Sequence, residues 1–175
     1  MKHAIQSGDL GDGDAAKGVD GFSTNEYCAH PRNSDGGIAW YSVDLGGIHQ
    51  IFNVTVYNTD VTDGRVIKSK PLSLLCHPLL LPLLLSIEFL RLQHFTINVG
   101  NTSNVEEHTE CSYQNDPIQA GGNATFGCNF VARYISLRRE RGSDSNLLTI
   151  CELVVIGHPL RDKGKRKRFS FETCT

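Results

Sequence analysis

Residues 51–57, Ile-Phe-Asn-Val-Thr-Val-Tyr, alternate apolar and polar side chains. The spacing sets Phe52, Val54 and Val56 on one face and Asn53, Thr55 and Tyr57 on the other. A period of two belongs to an extended strand with one buried face. Similar strand signals recur in residues 39–45, ahead of a turn at Gly46-Gly47, in residues 95–99, which stop at Gly100, and in residues 134–137 and 147–156. Outside one leucine-rich segment, no stretch of about 11 residues sustains the i, i+3, i+4, i+7 spacing of an amphipathic helix. Short strands cut by glycine, asparagine and aspartate turns argue for an all-β antiparallel sandwich or barrel. The 175 residues suit one domain, and 39% hydrophobic with 21% charged residues exclude a disordered polymer and an integral membrane protein.

One segment breaks the pattern. Residues 71–85 are almost wholly leucine and proline, inside 17 uncharged residues between Lys70 and Glu88. That is the lower limit for crossing ~30 Å of hydrocarbon, and three prolines spoil the helix. As an exposed loop it presents more apolar area than a soluble monomer tolerates. Joining the Asp63-Gly64-Arg65 turn directly to Leu92 and the Phe95 strand restores a turn followed by a strand. Residues 66–91 therefore read as an anomalous insert, either a translated intron or a genuine insertion. A tryptic peptide from this stretch in the native protein decides for the second.

Charge is unevenly placed. Residues 161–168 hold six basic residues and one acid, net +5, which leaves −7 on the rest of a chain whose net charge is −2. A nucleic-acid-binding core is excluded on that balance, and residues 158–175 read as a solvated, disordered basic tail. Six cysteines exceed what an intracellular chain carries by accident, and no Cys-x-x-Cys zinc spacing occurs. No nucleophile-elbow, zinc-protease or P-loop motif occurs, so the chain reads as a binding protein rather than an enzyme. Sequons at Asn53, Asn101 and Asn123 mark candidate glycosylation sites, although the first residues have no apolar leader.

Six motifs then add up. Gly18-Val19-Asp20-Gly21, Cys28-Ala29-His30, Trp40-Tyr41-Ser42-Val43-Asp44-Leu45-Gly46, Phe95-Thr96-Ile97-Asn98-Val99-Gly100, Ala132-Arg133-Tyr134-Ile135-Ser136-Leu137 and Leu148-Thr149-Ile150-Cys151-Glu152-Leu153 occur in this order. Together they resemble an F-type lectin (fucolectin) of the wider discoidin-like class, over residues 4–157 apart from the insert. The resemblance implies an eight-stranded antiparallel β-sandwich of jelly-roll type that binds L-fucose-terminated glycans near a Ca2+ ion. It also implies a secreted protein, often a homo-oligomer such as a trimer, serving innate recognition of microbial sugars. The family's first strand ahead of Ala4 is missing, which implies a chain truncated at its N-terminus and accounts for the missing leader.

The resemblance implies disulfides Cys28–Cys151 and Cys111–Cys128 and leaves Cys76 and Cys174 over. The alternative from residue type alone is free buried thiols. For the cation it implies the carboxylates of Asp20 and Glu152 with the carbonyls of Lys17, Phe22 and Cys151, in keeping with the oxygen-rich shell of a hard ion. Tyr27 stands where a serine usually donates its hydroxyl, and Asn25 or Ser23 is the substitute. The plain alternative is that Asp20 caps the turn at Gly21 and Glu152 is an ordinary strand residue. For the sugar it implies His30 and Arg65 as fixed donors, with Asp60 or Asp63 orienting Arg65. Thr59 takes the place of the family's first arginine in the sugar-binding set, where its hydroxyl supplies one donor, and Val61-Thr62 replaces the adjacent cysteine pair. A surface histidine at position 30 and a structural ion pair at Arg65 are the plain alternatives. Trp40 and Tyr41 read as core packing rather than a sugar platform. A discoidin-like adhesion module that has lost fucose binding is the competing function.

Overall fold

A computed structural model of the chain describes residues 3–9, 11–23, 28–32, 37–59, 91–139 and 147–160. Among them lie six strands: β1 (His3–Gln6), β2 (Trp40–Tyr57), β3 (Phe95–Gly100), β4 (Thr109–Gln114), β5 (Asn123–Arg139) and β6 (Glu152–Pro159), all antiparallel. Single 3₁₀ turns over Ala15–Gly18 and Val105–Glu107 are the helical segments described. The chain is all-β, as its periodicity predicts.

Two long strands organise the sheet. β2 pairs with β5 from Trp40 opposite Arg138 to Tyr57 opposite Asn123. β1 lies against the first half of β2, β6 against its second half, and β3 against the second half of β5, with β4 outside β3. Register shifts fall between Asp44 and His49 and between Ile51 and Asn53. Phe95 sits opposite Arg139, thirteen residues along β5 from Phe126. A straight strand would separate those points by about 40 Å. The Phe95 and Phe126 rings are instead edge to face with centroids 6.0 Å apart. The long strands therefore bend, and the sheet closes over itself as a sandwich. Each long strand contributes a segment on either side of the bend. Val43, Ile97, Ile135 and Leu137 from one side and Val54, Val56, Phe126 and Leu153 from the other fill the core. Tyr41 is fully buried and Trp40 half-buried, in keeping with core packing.

Several expected boundaries move. The strand over 39–45 does not end at Gly46-Gly47: β2 runs through the pair, with Gly46 N–H donating to Asp44 Oδ1 at 2.8 Å. The bulge after Ile51 changes the phase of the alternation. Val54 and Val56 are buried as expected, but Ile51 takes the inward place and Phe52 is 42% exposed. Residues 147–150 join isolated bridges to Ala29 and Arg32, and β6 starts only at Glu152. It continues to Pro159, two residues into the segment read as a tail. β1 and β4 have no counterpart in the sequence-based expectation.

Candidate functional site

One end of the sandwich gathers the turn after β2, the turn before β5, and segments 11–23, 28–32 and 147–151. Little strand pairing holds these segments, so other bonds position them. Ala29 and Ile150 exchange both main-chain hydrogen bonds (2.7 and 2.9 Å), and Cys151 N–H donates to Tyr57 C=O at 3.0 Å. The Cys28–Cys151 disulfide closes the same knot with Cα atoms 3.9 Å apart, and Cys111–Cys128 joins β4 to β5. Both pairings are those the resemblance implies. Cys76 and Cys174 lie outside the described residues.

His30 follows directly from this knot. Its N–H donates to Gly13 C=O at 3.0 Å, and its Nδ1 lies 3.1 Å from Oγ1 of the fully buried Thr149. Residue 13 has to be glycine: a Cβ there would stand 2.5 Å from His30 Cβ. Burial, then the charges of Arg91 and Lys17, hold the His30 imidazole down at about 4. At neutral pH it is a neutral ring with one donor and one acceptor nitrogen.

The residue that sequence reasoning missed here is Arg91. It lies at the edge of the segment read as an insert, and its charge is the foremost acting on His30. Its main chain is fixed: Arg139 Nη1 donates to Arg91 C=O at 2.7 Å. The next residue, Leu92, accepts from Ile118 N–H at 3.1 Å, and Ile118 C=O accepts from Asn58 Nδ2 at 2.7 Å. Asn58 in turn receives Thr59 N–H on Oδ1 at 2.8 Å. Arg91 and Thr59 are thus anchored to one network, and the signal that could have found Arg91 is its place just ahead of the Leu92–Phe95 strand entry. Thr59 itself is 5% exposed, with its carbonyl accepting from Gly121 N–H at 2.8 Å. Asp60, Asp63 and Arg65 lie outside the described residues.

Two of the expected cation ligands, Asp20 and Glu152, meet at one turn. Gly21 adopts φ +90°, a left-handed conformation suited to glycine. Its N–H donates to Glu152 Oε2 at 3.0 Å, while Phe22 N–H donates to Asp20 Oδ1 at 2.9 Å. Asp20 thus caps the turn, and the buried Glu152 reaches it from the start of β6. Tyr41 lies beneath. Burial raises its phenol first, and Glu152, Asp20 and Asp14 raise it further, while its hydroxyl donates to Ala15 C=O at 2.9 Å. Lys17 Nζ donates to Asp12 C=O, and Phe22 is largely exposed. Among the described residues no three histidine, cysteine or acidic side chains gather as a metal cluster. A cation held at this turn would meet oxygen donors from Asp20 and Glu152, the chemistry of a hard ion. Asn25 and Tyr27 lie outside the described residues.

The three sequons differ in setting. Asn53 is half-buried in the middle of β2, between β5 and β6, whereas Asn101 and Asn123 are exposed.

No family model matches the chain, and no curated protein matches its sequence. Solved structures do. A fucolectin from striped bass (Morone saxatilis) serum is 24% identical, with TM-score 0.66 over 91% of this chain and 46% of that one, so the chain spans about half that lectin's length. The lectin domain of Lectinolysin, solved with Lewis B antigen, is 22% identical, with TM-score 0.59 over 89% and 92% of the two chains. A fucose-binding module from Streptococcus pneumoniae is 17% identical, with TM-score 0.58 over 89% and 93%. The fold of this chain is that of the F-type lectins within the discoidin-like class.

Proposed function

We propose that the chain is an extracellular, calcium-dependent lectin for L-fucose-terminated glycans, serving innate recognition of microbial or host sugars as a multivalent homo-oligomer. One observation carries the reading: His30, Arg91 and the Asp20–Glu152 turn are drawn to one end of a fold shared with fucose-binding modules. The neutral His30 ring, braced by Thr149, offers a fixed polar nitrogen to a sugar hydroxyl. Arg91 and Arg65 supply guanidinium donors, which stay protonated and keep a rigid fork. Asp60 and Asp63 orient Arg65, and Thr59 holds the loop rather than the sugar. The cation, held by Asp20, Glu152, Asn25 and the carbonyls of Lys17, Phe22 and Cys151, neutralises the two carboxylates and stiffens the loop before Cys28. Two disulfides support an oxidising compartment.

Retention of the full chain on immobilised L-fucose, with Ca2+ and with chelator, tests this. Calcium-dependent retention eluted by free fucose is expected, and His30→Ala or Arg91→Ala lowers affinity by about one to two powers of ten. The buried Thr59 favours one other reading, an adhesion module that recognises a protein or another glycan. A folded sample that passes the column unretained in both conditions overturns fucose binding and favours that reading instead.

A further inference from the structure

We propose that Asn101 carries an N-linked glycan whose first N-acetylglucosamine lies in the groove beside it, over Phe130. The groove, about 320 Å³, sits at the end of the sandwich away from His30 and is lined among others by Asn101, Thr102, Glu107, Thr109, Phe130 and Val131. That volume is at the lower limit of ligand clefts, room for one sugar ring and its acetamido arm.

Sequence and geometry agree on the attachment point. Asn101-Thr102-Ser103 is a sequon, exposed in the turn that leaves β3. Thr102 fixes that turn: its hydroxyl donates to Glu107 Oε2 at 2.8 Å, and its carbonyl accepts from His108 Nε2 at 2.9 Å. Among the described residues no hydrogen bond ties the Asn101 amide. Phe130 is 38% and Val131 48% exposed, an apolar floor beside a polar rim. The C–H face of a pyranose covers such a floor, and the Glu107 carboxylate and Thr109 hydroxyl accept from its N–H and O–H groups. Bonds from Thr102 and Asn104 hold the Glu107 carboxyl below its ordinary range, so it remains an acceptor.

In the transfer step the Asn101 Nδ2 attacks C1 of a lipid-linked oligosaccharyl diphosphate. The N–C1 bond forms, the C1–O bond breaks with its electron pair leaving on the diphosphate, and Nδ2 gives up a proton. The inference rests on the extracellular reading above, but not on fucose binding.

The test uses the full chain, secreted from eukaryotic cells behind an added leader. Peptide mass spectrometry is expected to find Asn101 occupied in most molecules. After endoglycosidase trimming to a single sugar, the Tm is expected to exceed that of Asn101→Gln by about 2–4 °C. Phe130→Ala is expected to erase this difference, measured as a cycle with Asn101→Gln so that its own cost cancels. An unmodified Asn101, equal Tm values, or a gain that persists in Phe130→Ala each overturns the proposal. Fucose retention of the same samples separates the two readings, because Asn101→Gln leaves it unchanged.

Discussion

The two ends of this sandwich are held by different means. At the end away from His30, β2 and β5 turn back within paired strands, and a surface ion pair fastens the bend. Arg133 grips Asp44 with both Nε (2.8 Å) and Nη2 (2.7 Å). At the His30 end the chain leaves the sheet, so loops are fixed by a long-range disulfide and by main-chain groups meeting buried segments. A strand ladder satisfies its own backbone, but a loop near the core depends on particular residues to do so. The His30 end is therefore where single substitutions do most damage, and it is the end where recognition is proposed.

Breaking the two disulfides separates the ends most sharply. Cys28 and Cys151 lie 123 residues apart and Cys111 and Cys128 lie 17 apart. By loop-closure entropy, removing the first pair as Cys28→Ser with Cys151→Ser costs about 5 kcal/mol. Removing the second costs about 3 kcal/mol by the same rule. Denaturant unfolding measures both. Fucose retention is expected to vanish with the first pair and persist in whatever folds without the second. Equal effects on retention would show that the disulfide does not organise the site.

Gly13→Ala probes the same end more locally. A Cβ at position 13 meets His30 Cβ at 2.5 Å and His30 Cδ2 at 2.6 Å, so one of the two loops has to move. Overpacking of this kind costs about 1–3 kcal/mol. Affinity for fucose is expected to fall along with the Tm, although residue 13 touches no sugar in the proposed site. A glycine at the other end, Gly47, has nothing within 4 Å of an added Cβ. Gly47→Ala is the matched control and leaves retention intact.

The same contrast governs what the sequence made legible. The strands at 51–57 and 95–99 were readable because two-residue alternation and a following turn are local signals. Their joining was not: Gly46-Gly47 reads as a stop, whereas β5 pairs with β2 on both sides of it, up to Asp44 and again from His49. The bulge after Ile51 is invisible for the same reason, since one extra residue against a partner strand exists only once the partner is chosen. β4 carries charged and polar residues and lies at a sheet edge, so burial gives it little pattern. The cysteine pairs and the Asp20–Glu152 convergence were legible through resemblance, not periodicity. Arg91 falls at the edge of the segment read as an insert, where no local pattern marks it as part of a site.

pH distinguishes the ends by where each loses stability. His30 titrates at about 4 when folded against an ordinary 6.5, because burial and the Arg91 and Lys17 charges disfavour the imidazolium. The unfolded chain therefore takes up a proton that the folded chain refuses. Stability from this group is complete above about 6.5 and falls progressively as pH drops through about 4. His30→Gln is expected to flatten that part of a denaturation–pH series. An unchanged slope would show that the ring is not held neutral.

The smallest effect belongs to the far end. The Arg133 guanidinium bonded to Asp44 draws its carboxyl down from 3.8 to about 2. The folded carboxylate therefore resists protonation, and its contribution is present above about 4 and lost as pH falls towards 2. That window lies below the His30 window. Both side chains are open to water, so screening keeps the pair's contribution small. A double-mutant cycle of Asp44→Asn and Arg133→Gln measures the coupling, and added salt is expected to shrink it. Strong coupling that persists in salt would mean that this end, like the other, depends on a specific polar contact. Loss of fucose retention in either single variant would mean that the two ends are not independent.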